Sequence, residues 1–213
     1  MRRRKRNNMD HNTKIMLEGK IYDPFTEELR KGRERAHNLC LEFNSLKEND
    51  PRKQEILKKL FPEAVDLYIQ GPMQVDYGTY IKFGKGCYAN FNFTVLDTCP
   101  VTIGDYVFIG PNVSIYTPLH PFLEDERRPY YMKDKGYVSD DEYGKPVTIG
   151  SNCWIGGSVT ILPGVTIGEG CVIGAGSVVT RDIPPHSLAV GNPCRAIRKI
   201  TKEDSIKLKK ELW

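Results

Sequence analysis

The stretch that decides the fold runs from Val147 to Thr180 and reads VTIGSNCWIGGSVTILPGVTIGEGCVIGAGSVVT. Isoleucine followed by glycine returns there at multiples of six positions, and a small or apolar residue stands four positions after each such isoleucine. A unit of six residues is too short for a helix pair or a hairpin, but it fits one short strand and a corner at which glycine turns the chain. Three such units in succession predict one triangular coil of a parallel β-helix.

The same repeat continues on the N-terminal side, where it begins at about Val75. Six isoleucine–glycine pairs share the pattern: Ile103-Gly104, Ile109-Gly110, Ile149-Gly150, Ile155-Gly156, Ile167-Gly168 and Ile173-Gly174. With 18 residues in a coil, Ile149 is predicted to lie over Ile167. Cys153 lies over Cys171 by the same rule, so the interior consists of ladders of like residues. Each coil buries its apolar face only against its neighbours, and both ends of the β-helix therefore need caps.

Composition and periodicity divide the 213 residues into four segments. The first carries five consecutive basic residues, which exceed the net charge of +4 and leave a nearly neutral body. A short basic run can bind nucleic acid or an anionic membrane, but we interpret it as a solvated terminus. The second segment has apolar residues at helical spacing, and Asp23-Pro24 is typical of a helix start. The predicted segments are a disordered basic tail (1–14), a helical cap (15–70), the repeat (71–200) and a C-terminal helix (201–213).

Several classes of protein are disfavoured by the same composition. No apolar run approaches the roughly 18 residues of a membrane span, and the basic N-terminus is not followed by the apolar core of a secretory signal. We therefore expect a cytoplasmic protein. The six cysteines contain no CxxC pair, so we expect reduced thiols and neither a zinc site nor a redox motif.

One long segment interrupts the repeat, between Pro118 and Pro146. It is rich in acidic residues and tyrosines and must loop out from the prism. Loops of this length inside a compact scaffold are usually functional or disordered. We expect function, because residues with useful chemistry flank this one.

Several separated motifs occur in order and carry a family resemblance. They are Tyr88-Ala-Asn-Phe-Asn92, Asp97, Ile115-Tyr-Thr-Pro-Leu-His-Pro121, Glu142-Tyr-Gly-Lys-Pro146 and Trp154-Ile-Gly-Gly157. Together they resemble the maltose and galactoside O-acetyltransferases, from about Met16 to Ile200. The resemblance implies a mainly β fold, a left-handed parallel β-helix, assembled as a homotrimer with active sites between subunits. It also implies acetyl-CoA as cosubstrate and a small sugar as acceptor. From the composition we expect neither a metal, nor nucleic acid, nor a membrane as partner.

The resemblance assigns three residues to the chemistry. An unassisted sugar hydroxyl is a weak nucleophile near neutral pH, and His120, at the start of the loop, matches the family's general base. Asn90 matches the donor that stabilises the oxyanion of the tetrahedral intermediate. Glu142 matches a carboxylate near the histidine that fixes its tautomer and stabilises imidazolium. The loop that ends at Glu142 is roughly ten residues longer than in close relatives.

Three aspartates fall at positions that bind the acceptor sugar in the family: Asp23, Asp76 and Asp97. Other interpretations stay open, since Asp23 suits a helix cap, while Asp76 and Asp97 suit a solvated face of the repeat. Asp76 stands where the galactoside enzymes have serine, and Thr98 stands where they have aspartate. The nature of the acceptor is therefore open as well.

A further set of residues matches the family's coenzyme A site. Gly157 and Ala175 are 18 positions apart, so they stack as small residues along which an extended ligand can lie, and Trp154 can wall that groove. The residues that match the pantetheine and nucleotide end are Thr180, Arg181, Arg195 and Arg198, with arginine suited to phosphate. The alternative for each arginine is a solvated position.

Two rival functions remain at this stage, and a third is disfavoured. The same fold can acetylate serine or an antibiotic hydroxyl, although the helical cap, which resembles the N-terminal module of the maltose branch, argues against it. A β-helix without catalytic activity can serve as a scaffold. A zinc-dependent carbonic anhydrase is disfavoured, because it needs three clustered histidines and the repeat offers only His120 and His186.

Overall fold

A computed structural model describes residues 9–212 of the chain. The basic run of the expected tail lies outside the described residues. Residues 11–14, which the sequence analysis assigned to that tail, belong instead to a helix. Asp10 caps this helix, because its carboxylate accepts from the N–H groups of Asn12 and Thr13.

Three helices form the cap and a fourth lies in the long loop. They are α1 (His11–Leu17), α2 (Glu27–Ser45), α3 (Arg52–Leu60) and α4 (Glu124–Arg127). One face of α2 is buried at Ala36, Cys40 and Phe43, which recur at helical spacing. Asn44 near the end of α2 covers a strand edge, because its side-chain amide donates to the Met73 carbonyl and accepts from the Met73 N–H, both at 2.9 Å.

The rest of the chain consists of short strands. They are β1 (Tyr68–Ile69), β2 (Met73–Val75), β3 (Ile81–Phe83), β4 (Tyr88–Ala89), β5 (Phe93–Leu96), β6 (Val101–Ile103), β7 (Phe108–Ile109), β8 (Ser114–Tyr116), β9 (Pro118–Leu119), β10 (Tyr130–Met132), β11 (Tyr137–Ser139), β12 (Tyr143–Gly144), β13 (Val147–Ile149), β14 (Trp154–Ile155), β15 (Thr160–Ile161), β16 (Thr166–Ile167), β17 (Val172–Ile173), β18 (Val178–Val179), β19 (Ser187–Val190) and β20 (Arg195–Lys199). In the prism strands before β19, inward side chains are buried and alternate with more exposed ones, as the pleat requires.

Most of these strands stack into the three faces of a prism. The seven-stranded sheet has the order β1-β4-β7-β14-β17-β19-β20, the five-stranded sheet β18-β15-β8-β5-β2 and the four-stranded sheet β16-β13-β6-β3. Neighbours pair in parallel except for β19 with β20. The chain visits the three sheets in turn, which is the parallel β-helix that the repeat predicts.

Two corners of the prism matter for the site. We call the turn from the seven-stranded to the five-stranded sheet the first corner (residues 90–92 in one coil). We call the turn from the five-stranded to the four-stranded sheet the second corner (residues 97–100 in the same coil). The first corner needs a left-handed residue in each coil, which Asn92 and Asn112 provide with φ of 57° and 59°. Asparagine tolerates this conformation well, so the sequence supplies it there.

The predicted stacking is confirmed after the loop, where Ile149 pairs with Ile167 and Trp154 with Val172, 18 positions apart. Before the loop the spacing is 20, as between Val75 and Val95. The two extra residues lie at the second corner, which is wider than a six-residue unit allows. The long loop leaves the prism at this same corner.

The interior is a set of apolar ladders. Ile103, Ile149 and Ile167 stack in one column, and each is at most 1% exposed. All six cysteines are buried free thiols. No helix within residues 9–212 is long and apolar enough to cross a bilayer.

The C-terminal segment is helical only in short pieces. It contains three successive 3₁₀ turns, Lys202–Asp204, Ile206–Leu208 and Lys210–Leu212, and none of them buries a residue. The continuous helix expected there therefore lacks a packing face to stabilise it. The side chains of Thr201 and Ser205 also accept hydrogen bonds from backbone N–H groups, so each of them begins a new turn instead of continuing one helix. Strand β20, rather than this segment, covers β19.

Candidate active site

The base of the long loop brings His120 and Glu142 face to face. Strands β9 and β12 pair in antiparallel register, with Leu119 opposite Tyr143. The next position of this ladder sets His120 opposite Glu142. His120 is exposed, whereas Glu142 is partly buried. The loop thus closes on itself where it leaves the second corner, and it presents an imidazole to solvent over a carboxylate.

Glu142 is partly buried, close to Tyr22 and His120. Burial raises its pKa above the ordinary range, while the nearby hydroxyl of Tyr22 and the charge of His120 act in the opposite direction. The Tyr22 N–H donates to the Glu142 carbonyl at 3.0 Å, which fixes the backbone on the side away from His120. Glu142 is therefore held between the cap segment and the histidine.

Asn90 lies at the first corner, directly after β4. Its N–H donates to the Ile109 carbonyl at 2.9 Å, and its Oδ1 accepts from the Phe91 N–H at 2.8 Å. Because Oδ1 accepts from the backbone, the Nδ2 group is the part of the side chain that can donate to a ligand. This side chain is half-buried and suited to donate to a developing oxyanion.

One protomer keeps these groups apart. Asn90 lies at the first corner and His120 above the second, and the five-stranded sheet separates the two corners. The width of that sheet is on the order of 15 Å, because a strand such as β5 spans four residues at about 3.3 Å each. A general base must lie within hydrogen-bonding reach of its substrate. A single chain therefore does not bring the predicted base and the predicted oxyanion donor together.

Asp23 takes part neither in a helix cap nor in an open pocket. Helix α2 begins at Glu27 after Thr26, so the predicted helix start at Asp23-Pro24 is wrong by three residues. The Asp23 carboxylate instead accepts four hydrogen bonds. The donors are Phe25 N–H at 3.1 Å, Ser139 Oγ at 2.6 Å, Tyr137 OH at 2.6 Å and Lys135 Nζ at 2.9 Å. Burial raises the pKa of Asp23, but the bonds from Ser139, Tyr137 and Lys135 outweigh it and hold the pKa at about 2.

Asp76 and Asp97 both lie at the second corner, under the cap. The Asp76 side chain is 19% exposed and lies 3.8 Å from His37. Asp97 is fully buried, where its Oδ1 accepts from the Tyr77 N–H at 2.9 Å and its Oδ2 has no hydrogen-bond partner. Burial raises the pKa of Asp97 to about 7, although the Tyr77 N–H lowers it. The interpretation of Asp97 as a solvated face residue is wrong.

The predicted coenzyme groove follows the first corner. Gly157 lies two coils and Ala175 three coils beyond the coil of Asn90, in the column that begins with its neighbour Phe91, as the registers of β4, β7, β14 and β17 require. A Cβ on Gly157 would meet Pro111 at 3.3 Å, so there is little space for a side chain at this position of the corner. Trp154 is 58% exposed beside it and continues an outward aromatic column on the seven-stranded sheet, formed by Tyr68, Tyr88, Phe108 and Trp154.

The remaining predicted cofactor residues are exposed near the end of the β-helix. Thr180 and Arg181 follow β18 and so lie at the second corner of the last coil. Arg195 and Arg198 lie on β20, at the edge of the seven-stranded sheet. Arg198 forms a bidentate ion pair with Asp204, at 2.9 and 2.7 Å, while Arg195 donates to the Cys194 carbonyl. The described residues contain no group of three or more histidine, cysteine or acidic side chains placed to hold a metal.

Comparison with known proteins identifies the family of this fold and site. Residues 15–64 match a family profile described as maltose acetyltransferase hexapeptide capping motif, and residues 146–181 match one described as bacterial transferase hexapeptide (six repeats). The galactoside O-acetyltransferase of Escherichia coli (strain K12) is 40% identical over 194 residues, which cover 90% of this chain and 91% of that protein. The chain belongs to the maltose and galactoside O-acetyltransferase family.

Solved structures of this O-acetyltransferase family have the same fold. A maltose O-acetyltransferase from Clostridium difficile 630 superposes with a TM-score of 0.80 at 43% identity, covering 92% of this chain and 100% of that one. A galactoside acetyltransferase in complex with coenzyme A gives 0.81 at 40% identity, covering 92% and 94%. The predicted left-handed parallel β-helix is thereby confirmed. As a family member, the chain is an acetyl-CoA-dependent acetyltransferase.

Four residues around the site of this O-acetyltransferase escaped the sequence analysis: Tyr22, Lys135, Tyr137 and Ser139. Three of them come from the long loop, whose tyrosine content was noted but assigned no role. Their common partner, Asp23, is more than 110 positions away in the sequence. No periodic pattern connects such distant residues, so only the folded chain reveals the contact.

Proposed function

We propose that this acetyltransferase transfers the acetyl group of acetyl-CoA to a hydroxyl group of a small sugar, such as maltose, glucose or a galactoside. The observation that carries the proposal is the placement of His120 opposite Glu142 at the mouth of the loop. The imidazole is exposed to an incoming hydroxyl, and the carboxylate behind it favours the imidazolium that proton transfer creates.

The reaction proceeds in two steps in this proposal. His120 takes the proton of the acceptor hydroxyl while its oxygen bonds to the thioester carbon, and the carbonyl oxygen becomes an oxyanion. The Nδ2 group of Asn90 donates to that oxyanion, a contribution of about 2.7 to 4 kcal/mol in comparable sites. The tetrahedral intermediate then collapses, the carbon–sulfur bond breaks, and the imidazolium of His120 returns its proton to the departing thiolate.

We propose a homotrimer with active sites between subunits. Asn90, Gly157 and Ala175 lie at the first corner, whereas His120 and Thr180 belong to the second. Catalytic residues and cofactor residues thus occur at both corners. A head-to-tail ring that sets the first corner of one subunit against the second corner of the next completes each site.

The three aspartates take different roles in this proposal. Asp76 keeps partial exposure beside His37, so it contacts the acceptor hydroxyls directly. Asp97 lies beneath it and supports that contact by holding the Tyr77 backbone. Asp23 acts on the acceptor indirectly, by holding in place the loop residues that donate to its carboxylate.

Acetyl-CoA lies along the first corner in this proposal, with pantetheine on Gly157 and Ala175 and with Trp154 as a wall. Thr180, Arg181, Arg195 and Arg198 meet the distal phosphates and nucleotide, for which arginine is suited. Because Arg198 is paired with Asp204, the cofactor has to compete with that carboxylate. A cytoplasmic location fits this donor, and the six free thiols agree with a reducing compartment.

An acceptor screen tests the proposed function. Purified protein is incubated with acetyl-CoA and one candidate acceptor at a time, namely glucose, maltose, a methyl galactoside, serine or an antibiotic alcohol, and free thiol and acetylated product are measured. We expect acceptor-dependent thiol release with at least one sugar. Transfer only to serine or the antibiotic would contradict the sugar acceptor. Absence of both coenzyme A binding and thiol release would support a non-catalytic scaffold.

A further inference from the structure

The middle of the long loop is an ordered hairpin. Strands β10 and β11 pair in antiparallel register, with Tyr130 opposite Ser139 and Met132 opposite Tyr137. The turn between them is closed by the N–H groups of Lys135 and Gly136, which donate to the Met132 carbonyl at 3.1 and 2.8 Å. We call residues 130–139 the hairpin.

The hairpin is attached to the cap through one carboxylate. Lys135, Tyr137 and Ser139 all donate to Asp23, at 2.6 to 2.9 Å. The Asp23 side chain is only 8% exposed, and Ser139 is fully buried. Charge-assisted hydrogen bonds to a buried carboxylate are among the stronger polar contacts in proteins. The hairpin is therefore pinned, although its outer face, including Tyr131 and Val138, is exposed.

The pinned hairpin lies close to His120, the candidate general base. Tyr22, the neighbour of Asp23, forms a bridge with Glu142, and Glu142 lies opposite His120 on its other edge. Adjacent strands lie about 4.8 Å apart, so the segment that carries Asp23 runs about 10 Å from the strand that carries His120. A small sugar that offers a hydroxyl to His120 and extends towards the cap meets the hairpin within this distance.

We propose that the hairpin, pinned to Asp23 by Lys135, Tyr137 and Ser139, is the acceptor-side wall of the active site and limits the size of the hydroxyl compound that reaches His120. This inference rests on the proposed function, because it assumes that His120 receives the acceptor. The pinning groups fill the hydrogen-bonding capacity of Asp23, so a longer acceptor cannot use that carboxylate unless the hairpin moves. The wall also keeps water from the acetyl group when no acceptor is bound.

A matched pair of double variants tests the wall. Lys135→Met with Tyr137→Phe removes two of the pinning donors, while Lys133→Met with Tyr131→Phe makes the same chemical changes at exposed positions of the same hairpin. The first readout is kcat/KM for glucose, maltose and maltotriose. The second is hydrolysis of acetyl-CoA without any acceptor, which does not depend on the identity of the acceptor.

The pinning variant should favour the larger acceptors. We expect the ratio of kcat/KM for maltotriose to that for glucose to rise about tenfold, a size typical for a change in steric discrimination. Acceptor-free hydrolysis should rise as well, with the KM for acetyl-CoA unchanged and the control variant equal to the parent. Lys135→Met alone serves as a milder variant if the double variant unfolds, because Tyr137 and Ser139 then still hold Asp23.

Two outcomes would contradict the proposal that the hairpin is the acceptor-side wall. One is an unchanged size ratio together with unchanged hydrolysis in a folded pinning variant. The other is an equal fall for all acceptors with unchanged hydrolysis, which is what a merely structural hairpin gives. If the parent acetylates no sugar, the proposed function is wrong, and the hydrolysis comparison between the two double variants still decides whether the hairpin excludes water.

Discussion

Glu142 and His120 face each other at the open end of the ladder between β9 and β12. This relationship closes a loop of nearly thirty residues at its base and places the candidate base at the second corner of the prism. Glu142 is held from behind by the Tyr22 backbone. The orientation of the imidazole therefore depends on the docking of the cap as well as on the loop itself.

Removal of the imidazole should abolish most of the transfer. We expect His120→Ala to lower kcat/KM for the acceptor by about 10² to 10⁴-fold, because general-base assistance is lost. Thiol release from acetyl-CoA in the presence of sugar measures this. His11→Gln is the control, since His11 is exposed on α1. An unchanged rate in His120→Ala would remove His120 from the mechanism.

Neutralising the carboxylate should affect kcat more than KM. Glu142→Gln keeps the size of the side chain and the backbone bridge to Tyr22, but it removes the charge that favours imidazolium. We expect kcat to fall about 10- to 100-fold, a modest share of the general-base effect. Steady-state kinetics measure the split between kcat and KM. Glu124→Gln, on the exposed part of the loop, should have the kcat of the parent. A similar fall in kcat there would mean that charge loss anywhere in the loop has this effect.

Asn90→Asp separates the two halves of the side-chain amide. An Oδ atom remains to accept from the Phe91 N–H, whereas the Nδ2 donor is replaced by a negatively charged oxygen. We expect kcat to fall by about 10² to 10³-fold or more, with the KM for acetyl-CoA nearly unchanged. Asn38→Ala on the exposed side of α2 is the control. A proportional rise in KM instead would assign Asn90 to cofactor binding.

If the proposed homotrimer forms, two inactive variants should complement each other in mixed assemblies. His120→Ala lacks the base but keeps Asn90, and Asn90→Asp keeps His120. When they are refolded together in equal amounts, random assembly restores about one quarter of the sites if each site joins two subunits. Activity of the mixture is compared with the two variants refolded separately. No recovery in verified mixed trimers would show that each site lies within one subunit.

Stability should depend on the charge of Asp97. The folded pKa is raised to about 7, whereas an unfolded aspartate titrates near 3.8. Between these values the folded state holds the proton and the unfolded state does not. Stability therefore falls as pH rises from about 4 to about 7, by at most about 1.4 kcal/mol per pH unit from this group.

The variant Asp97→Asn isolates that contribution. It keeps an acceptor for the Tyr77 N–H and cannot ionise. The difference between its urea midpoint and that of the parent should therefore shift in favour of the variant as pH rises from 4 to 8. For Asp125→Asn, at an exposed loop position, the urea midpoint should change with pH in the same way as that of the parent. Parallel curves for Asp97→Asn and the parent would contradict a raised pKa.

Much of the scaffold followed from local rules. The six-residue repeat predicts the prism because each unit is a strand and a corner, and the 18-residue stacking of Ile149 on Ile167 is observed. The C-terminal helix was expected from composition but is broken into 3₁₀ turns, because no apolar face of it is buried. The start of α2 was misplaced because the Asp23 carboxylate has a stronger set of partners elsewhere.

By itself, the sequence determined the fold class, the position of the loop and the kinds of residue that surround it, since periodicity and residue type act over a few neighbouring positions. Only the tertiary structure decided which of those residues meet. Asp23 and Ser139 are 116 positions apart, and their contact exists because the cap docks on the second corner where the loop emerges. The separation of Asn90 from His120 likewise follows from the closure of three sheets into a prism, which no stretch of sequence displays.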